Sequence, residues 1–209
     1  MIGLSYNERM TTSGSTPRIR LTQTLYLLVL VLVVASDGHD IRGGPALLAQ
    51  SAGFLLVVCA VLGRLWITLF IAGRKDEQLV REGPFSLCRH PLYLGSIIGA
   101  LGIGLTTLSL ALTIALPLAV GAIVFAASRR EDAALLAAHG DSWRQYRDSV
   151  PAFWPAWSHR QMPDSIAVPP GIYRKAFLDA ASFLGLWLLV LLLGGLRASG
   201  AWPALFRLP

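Results

Sequence analysis

Apolar runs of membrane-crossing length alternate with short polar segments along most of this chain. Residues 1–20 are polar and rich in Ser, Thr and Gly, and read as a flexible tail. The first apolar run is Leu21–Ser36. It follows Arg18 and Arg20, so a cleaved signal peptide competes with a retained first helix; the oily remainder of the chain favours the helix. The second run, Ala46–Ala72, is long enough to cross a bilayer with some tilt. The third and fourth, Leu92–Leu105 and Leu108–Ala127, are almost contiguous and read as a tight helical hairpin with a short first arm. The fifth is Ala176–Leu196. The pattern predicts an all-α, polytopic integral membrane bundle of about five transmembrane helices.

Composition supports this. Only 14% of residues are charged, where soluble domains carry about a quarter. The +6 net charge is also unevenly placed. Its Lys and Arg residues concentrate before the first run, between the second and third, and between the fourth and fifth. Five spans put those three segments on one side, which the positive-inside rule makes cytoplasmic. The N-terminus is then inside and the C-terminus outside. No basic run interleaves with aromatics, so nucleic acid is not an expected partner. Cys59 and Cys88 form neither a CxxC pair nor a disulfide framework, and Cys59 reads as a buried small hydrophobe. The four histidines have no metal-ligand spacing, so no metal is expected.

Two polar segments hold the candidate chemistry. The first is LVREGPFSLCRHPLYLG, residues 79–95. Pro91 suits the first turn of the third run's helix. It also pushes His90 out of the α region. Arg89 and His90 then stand at a helix mouth with free N–H groups, a place for an anion such as a ligand carboxylate. A membrane anchor with Tyr93 as interfacial aromatic is the plainer alternative. The second segment is SRREDAALLAAHGDSWRQYRDSVPAFWP, residues 128–155. Glu131 and Asp132, one turn past the fourth run, read either as part of a solvated ion-pair cluster or as acids for a cationic ligand. Gly140 reads as a helix stop. Trp143, Tyr146, Phe153, Trp154 and Trp157 form an interfacial belt or a wall over a ligand. Arg64 lies within the second run, where an ionisable residue either serves function or snorkels. Gly95, Gly99, Gly102 and Gly104 favour close helix packing.

The combination GPF-x-x-x-RHPLY-x-G, then E-D-x-x-L-x-x-x-x-G-x-x-W-x-x-Y-x-x-x-V-P-x-F-x-P, resembles the isoprenylcysteine carboxyl methyltransferase and phospholipid methyltransferase superfamily. The resemblance covers roughly residues 46–157. It divides the chain into the 1–20 tail, a first helix and loop (21–45), a methyltransferase-like core (46–157), and a linker with a last helix (158–209).

It implies an integral membrane methyltransferase that uses S-adenosylmethionine and a lipophilic acceptor drawn from the bilayer. An isoprenylated cysteine carboxylate, a lipid amine and a thiol are all compatible acceptors. By the same resemblance, Arg89, His90, Pro91, Tyr93, Glu131, Asp132 and Tyr146 would bind the cofactor. Asp132 stands where the family usually has Glu, His139 where Phe is common, and Trp143 where Tyr is common. His90 and Glu131 are the candidate bases for an amine acceptor, and Arg64 is a candidate to orient an anionic one. An NADPH-dependent sterol-type reductase, using Arg129, Arg130, Arg144 and Arg147 for phosphates, is the alternative enzyme. A non-enzymatic membrane carrier is the remaining reading. Oligomeric state is left open.

Overall fold

The computed structural model describes residues 36–37, 43–71, 79–166, 168, 170–201 and 206–207. The first apolar run lies outside them, apart from Ser36. The described elements are helices α1 (Gly44–Ile71), α2 (Pro84–Leu87), α3 (Pro91–Thr106), α4 (Leu110–His139), α5 (Asp141–Ser149) and α6 (Pro170–Ala198). A single 3₁₀ turn spans Trp157–His159. The only strand pairing among the described residues is a two-residue parallel bridge of Ser36–Asp37 with Phe206–Arg207.

The fold is therefore an all-helical membrane bundle. Among the described residues, three helices are long and apolar enough to cross a bilayer: α1, α4 and Ala180–Arg197 within α6. At 1.5 Å per residue, the 16-residue α3 reaches only about 24 Å, short of a hydrocarbon core of about 30 Å. The outward faces are oily. Leu55 and Leu62 on α1, Leu110, Ile114 and Leu118 on α4, and Leu188 and Leu192 on α6 are exposed. Lipid, not water, is the solvent these faces match. Cys59 lies on the exposed side of α1, not in the interior expected from its run.

The interior is built around α3. Val57 and Val61 of α1, Ala100 and Ile103 of α3, Leu112 and Leu116 of α4, and Ala180 and Val190 of α6 form one buried cluster. Small residues let α1 and α3 touch through their backbones. A Cβ on Gly102 would sit 2.6 Å from the Gly53 carbonyl oxygen, and one on Gly53 would sit 2.5 Å from that of Gly102. The α3–α4 turn is short, as the near-contiguous runs predicted. Ser109 caps α4 by accepting a hydrogen bond from the Leu112 amide at 3.2 Å.

The main departure from the sequence reading is the length of α4. The apolar run ends at Ala127, but the helix continues without a break to His139. Glu131 and Asp132 therefore stand on the same rigid helix as the fourth run. The extension past Ala127 is about 18 Å long. It ends at Gly140, whose φ of +51° reverses the chain into α5.

Candidate functional site

The α3–α4 hairpin brings the two polar segments together. His90 is the residue before Pro91 and caps α3 with φ −123° and ψ 56°, outside the α region as the proline requires. Its backbone is fixed by a second strand of chain. The Arg89 amide donates to the Pro151 carbonyl at 2.9 Å and the His90 amide to that of Ala152 at 3.0 Å. Farther along, the Ala156 amide donates to Leu87 and the Gly83 amide to Gln161. Four backbone hydrogen bonds thus tie residues 83–90 to residues 151–161, a segment that bends at 152–154 and makes the 3₁₀ turn at Trp157–His159.

The side chains form one charged cluster. Arg89 Nη1 donates to Asp132 Oδ2 at 2.8 Å, and Arg89 Nε donates to the Val150 carbonyl at 3.1 Å. His90 Nε2 lies 2.9 Å from Asp132 Oδ1, and His90 Nδ1 lies 3.8 Å from Glu131 Oε2. The two acids differ in setting: Asp132 is 27% exposed and doubly engaged, whereas Glu131 is 45% exposed. Aromatic rings surround the imidazole. Tyr93 stacks on His90 at 5.5 Å between centroids, Phe153 lies at 5.6 Å, and Phe125 continues the row at 6.5 Å from Phe153. The Arg89 guanidinium lies 5.7 Å over the Trp143 ring.

Burial pushes the His90 pKa below its usual value, and Arg89 adds to that; Asp132 and Glu131 pull the other way without reversing it. The ring is neutral at pH 7. Its proton belongs on Nε2, facing the Asp132 carboxylate, which leaves the Nδ1 lone pair on the Glu131 side. Burial raises the Cys88 thiol to about 11, so it stays protonated and inert. Tyr146 is likewise raised, by burial first, and its hydroxyl donates to the Phe85 carbonyl at 2.7 Å.

Of the residues singled out from sequence, Arg89, His90, Pro91, Tyr93, Glu131 and Asp132 meet at one place. Tyr146 stands behind Arg89, packed on Trp143 in a separate small apolar cluster with Val150. Arg64 is in a different layer. Its Nη1 donates to Ser96 Oγ at 3.0 Å and its guanidinium lies 5.3 Å from the centre of the Phe183 ring, between α1, α3 and α6. Ser96 is about 9 Å along α3 from His90. Residues that sequence reasoning did not single out are Phe125, Ser96, Phe183 and the carbonyls at 150–152 that accept from Arg89 and His90. Only the prolines at 151 and 155, which bar a regular helix, signalled an irregular segment there.

The family model of the isoprenylcysteine carboxyl methyltransferase (ICMT) family matches residues 46–137. The chain is 38% identical over 172 residues to the cobalt-zinc-cadmium resistance protein CzcN of Cupriavidus metallidurans, covering 79% of this chain and 78% of that protein. It is 35% identical over 175 residues to the nickel-cobalt-cadmium resistance protein NccN of Alcaligenes xylosoxydans xylosoxydans, covering 83% and 81%. A shorter match, 35% over 78 residues, is to the protein-S-isoprenylcysteine O-methyltransferase of Schizosaccharomyces pombe, covering 37% of this chain and 33% of that one. No solved structure matches the chain.

Proposed function

The chain belongs to the isoprenylcysteine carboxyl methyltransferase family, and from that premise we propose that it is a membrane enzyme that moves a methyl group from S-adenosylmethionine to a lipophilic acceptor. The observation that carries the reading is the meeting of Arg89, His90, Glu131 and Asp132 at the mouth of an apolar helix.

The donor set fits the cofactor. Bound S-adenosylmethionine would supply an electrophilic methyl on a sulfonium. Glu131, the more exposed acid, is suited to the cofactor's ammonium or ribose hydroxyls. The row of Tyr93, His90, Phe153 and Phe125 offers ring faces to a cationic or planar group. Asp132 has a different task. It holds Arg89 and His90 together and orients the imidazole. The Nδ1 lone pair of neutral His90 is available to take a proton from an amine acceptor; a carboxylate or thiolate acceptor needs no base. Arg64, held between three helices, is suited to orient an acceptor with an anionic head. Alignment is the main demand of an in-line methyl transfer, and the backbone hydrogen bonds that tie 83–90 to 151–161 supply rigidity for it.

The grouping of Lys and Arg supports a cytoplasmic site and N-terminus with the C-terminus opposite. The names of the two metal-resistance relatives set a context: methylation of a membrane component by this chain would contribute to growth in cobalt, zinc, nickel or cadmium. The test is calorimetric binding of S-adenosylmethionine to detergent-purified protein, wild type against His90→Ala and Glu131→Ala, followed by labelled-methyl transfer to lipid extracts. Saturable binding lost in both folded variants is expected. Binding of NADPH and not S-adenosylmethionine would transfer the site to the reductase reading.

A further inference from the structure

A cavity of about 590 Å³ lies next to the charged cluster without including it. Val150 and Tyr146 are the shared wall: the Val150 carbonyl faces Arg89, while both residues also line the cavity. The cavity is polar. Arg81 and Arg160 line it, together with Gln145, Ser149, Ser158 and Gln161. No carboxylate stands among the described residues lining it. Part of the wall is held rigidly. Arg81 Nη2 donates to the Ser142 carbonyl at 2.6 Å and its guanidinium lies 5.8 Å over Tyr146. Buried Ser86 donates to the Gly83 carbonyl and accepts from the Gln161 amide at 3.0 Å. Two cations without an acid select an anion, and planar guanidiniums favour a phosphate.

The surroundings of the cavity indicate where that phosphate comes from. Its wall includes Ser158, Arg160 and Gln161, on the same stretch as Trp154 and Trp157, which are 83% and 70% exposed. Pro91, a few residues beyond Ser86, begins the apolar α3. The segment that carries these indoles is hydrogen-bonded to Arg89 and His90 at the start of α3, and large exposed indoles beside an apolar helix start belong in the headgroup layer of a bilayer. We propose that this cavity binds the phosphate headgroup of an anionic membrane lipid, with Arg81 and Arg160 as its counter-charges. The lipid is a resident ligand, distinct from any methyl acceptor, and the proposal stands whether or not the chain transfers methyl groups.

The experiment is native mass spectrometry of the full chain in detergent, titrated with phosphatidylglycerol or phosphatidylcholine. An arginine near an anionic headgroup is worth about 1 kcal/mol, or roughly fivefold in affinity. Wild type is expected to retain one phosphatidylglycerol in preference to phosphatidylcholine. Arg160→Gln is expected to weaken that adduct about fivefold. Arg160 is exposed, so this variant should fold normally. Arg147→Gln, an exposed arginine of α5 that does not line the cavity, should leave the adduct unchanged. Equal retention of the two lipids, or an unchanged adduct in Arg160→Gln, would overturn the proposal. Glycerol phosphate binding as tightly as the lipid would make the source a soluble anion and overturn the lipid assignment. Displacement of the adduct by S-adenosylmethionine would give the cavity to the cofactor instead.

Discussion

Replacing Asp132 by asparagine keeps the side chain's size and removes its charge. The carboxylate accepts from Arg89 at 2.8 Å and faces His90 Nε2 at 2.9 Å. Hydrogen bonds to charged groups are worth about 1.5–3 kcal/mol each. An asparagine oxygen can still serve His90, but its amide then turns two donors toward Arg89. With partial exposure discounting the ion pair, the loss is about 2–3 kcal/mol. For a chain of this length that corresponds to a fall in Tm of roughly 5–10 °C. Glu131→Gln is the matched control. That acid is 45% exposed and 3.8 Å from His90, so its loss should cost below about 1 kcal/mol and move Tm by less than about 3 °C. Its effect should appear in S-adenosylmethionine binding, weakened about tenfold or more. Intrinsic fluorescence of the six tryptophans during heating, at one fixed scan rate in one detergent, reads the stability difference. A Tm for Asp132→Asn within about 2 °C of wild type, or equal shifts in both variants, would refute this division of labour between the two acids.

Arg64→Leu should lower labelled-methyl turnover while leaving S-adenosylmethionine affinity unchanged in calorimetry; equal loss of both would count against a role with the acceptor. Gly102→Ala should lower Tm through overpacking of about 1–3 kcal/mol, because the new methyl meets the Gly53 carbonyl and Val57, and a wild-type Tm would show that α1 and α3 are not in backbone contact. The lowered His90 pKa makes stability pH-dependent. Above about pH 6.5 the ring is neutral in both folded and unfolded chains and its contribution is complete. As pH falls through that value the unfolded chain takes up a proton that the folded chain resists, so Tm should drop until the folded pKa is passed. His90→Gln, measured beside wild type from pH 8 to pH 5, should lack that component; parallel profiles would refute it.

The sequence made the helices legible wherever hydropathy alone defined them. The runs Ala46–Ala72, Leu92–Leu105 and Ala176–Leu196 correspond to α1, α3 and α6 within a few residues at each end, α6 beginning earlier at Pro170. Pro91 and Gly140 marked a helix start and a stop, each through a constraint its own backbone imposes. The end of α4 was not legible in this way, because hydropathy records where lipid stops and not where hydrogen bonding does. Residues 128–139 are largely Ala, Leu, Arg and Glu, strong helix formers, and nothing in them breaks the ladder. The adjacency of the RHP segment and the acidic pair came through resemblance. The division between Asp132 and Glu131 did not, since it depends on which face of α4 meets Arg89 across 43 positions of sequence. The 83–90 to 151–161 pairing rests on backbone groups, which carry no residue-specific signal.

The α3–α4 hairpin behaves mechanically as a clasp. It is closed at the turn before Ser109 and held at its other end by Arg89, His90 and Asp132. From Leu110 to Asp132 the lever arm is about 33 Å, so an opening of about 5° displaces the latch by about 3 Å, as much as a hydrogen bond is long. Most of that arm is immersed in lipid. The polar cluster therefore closes the far end of an apolar arm whose other end is fixed by a tight turn.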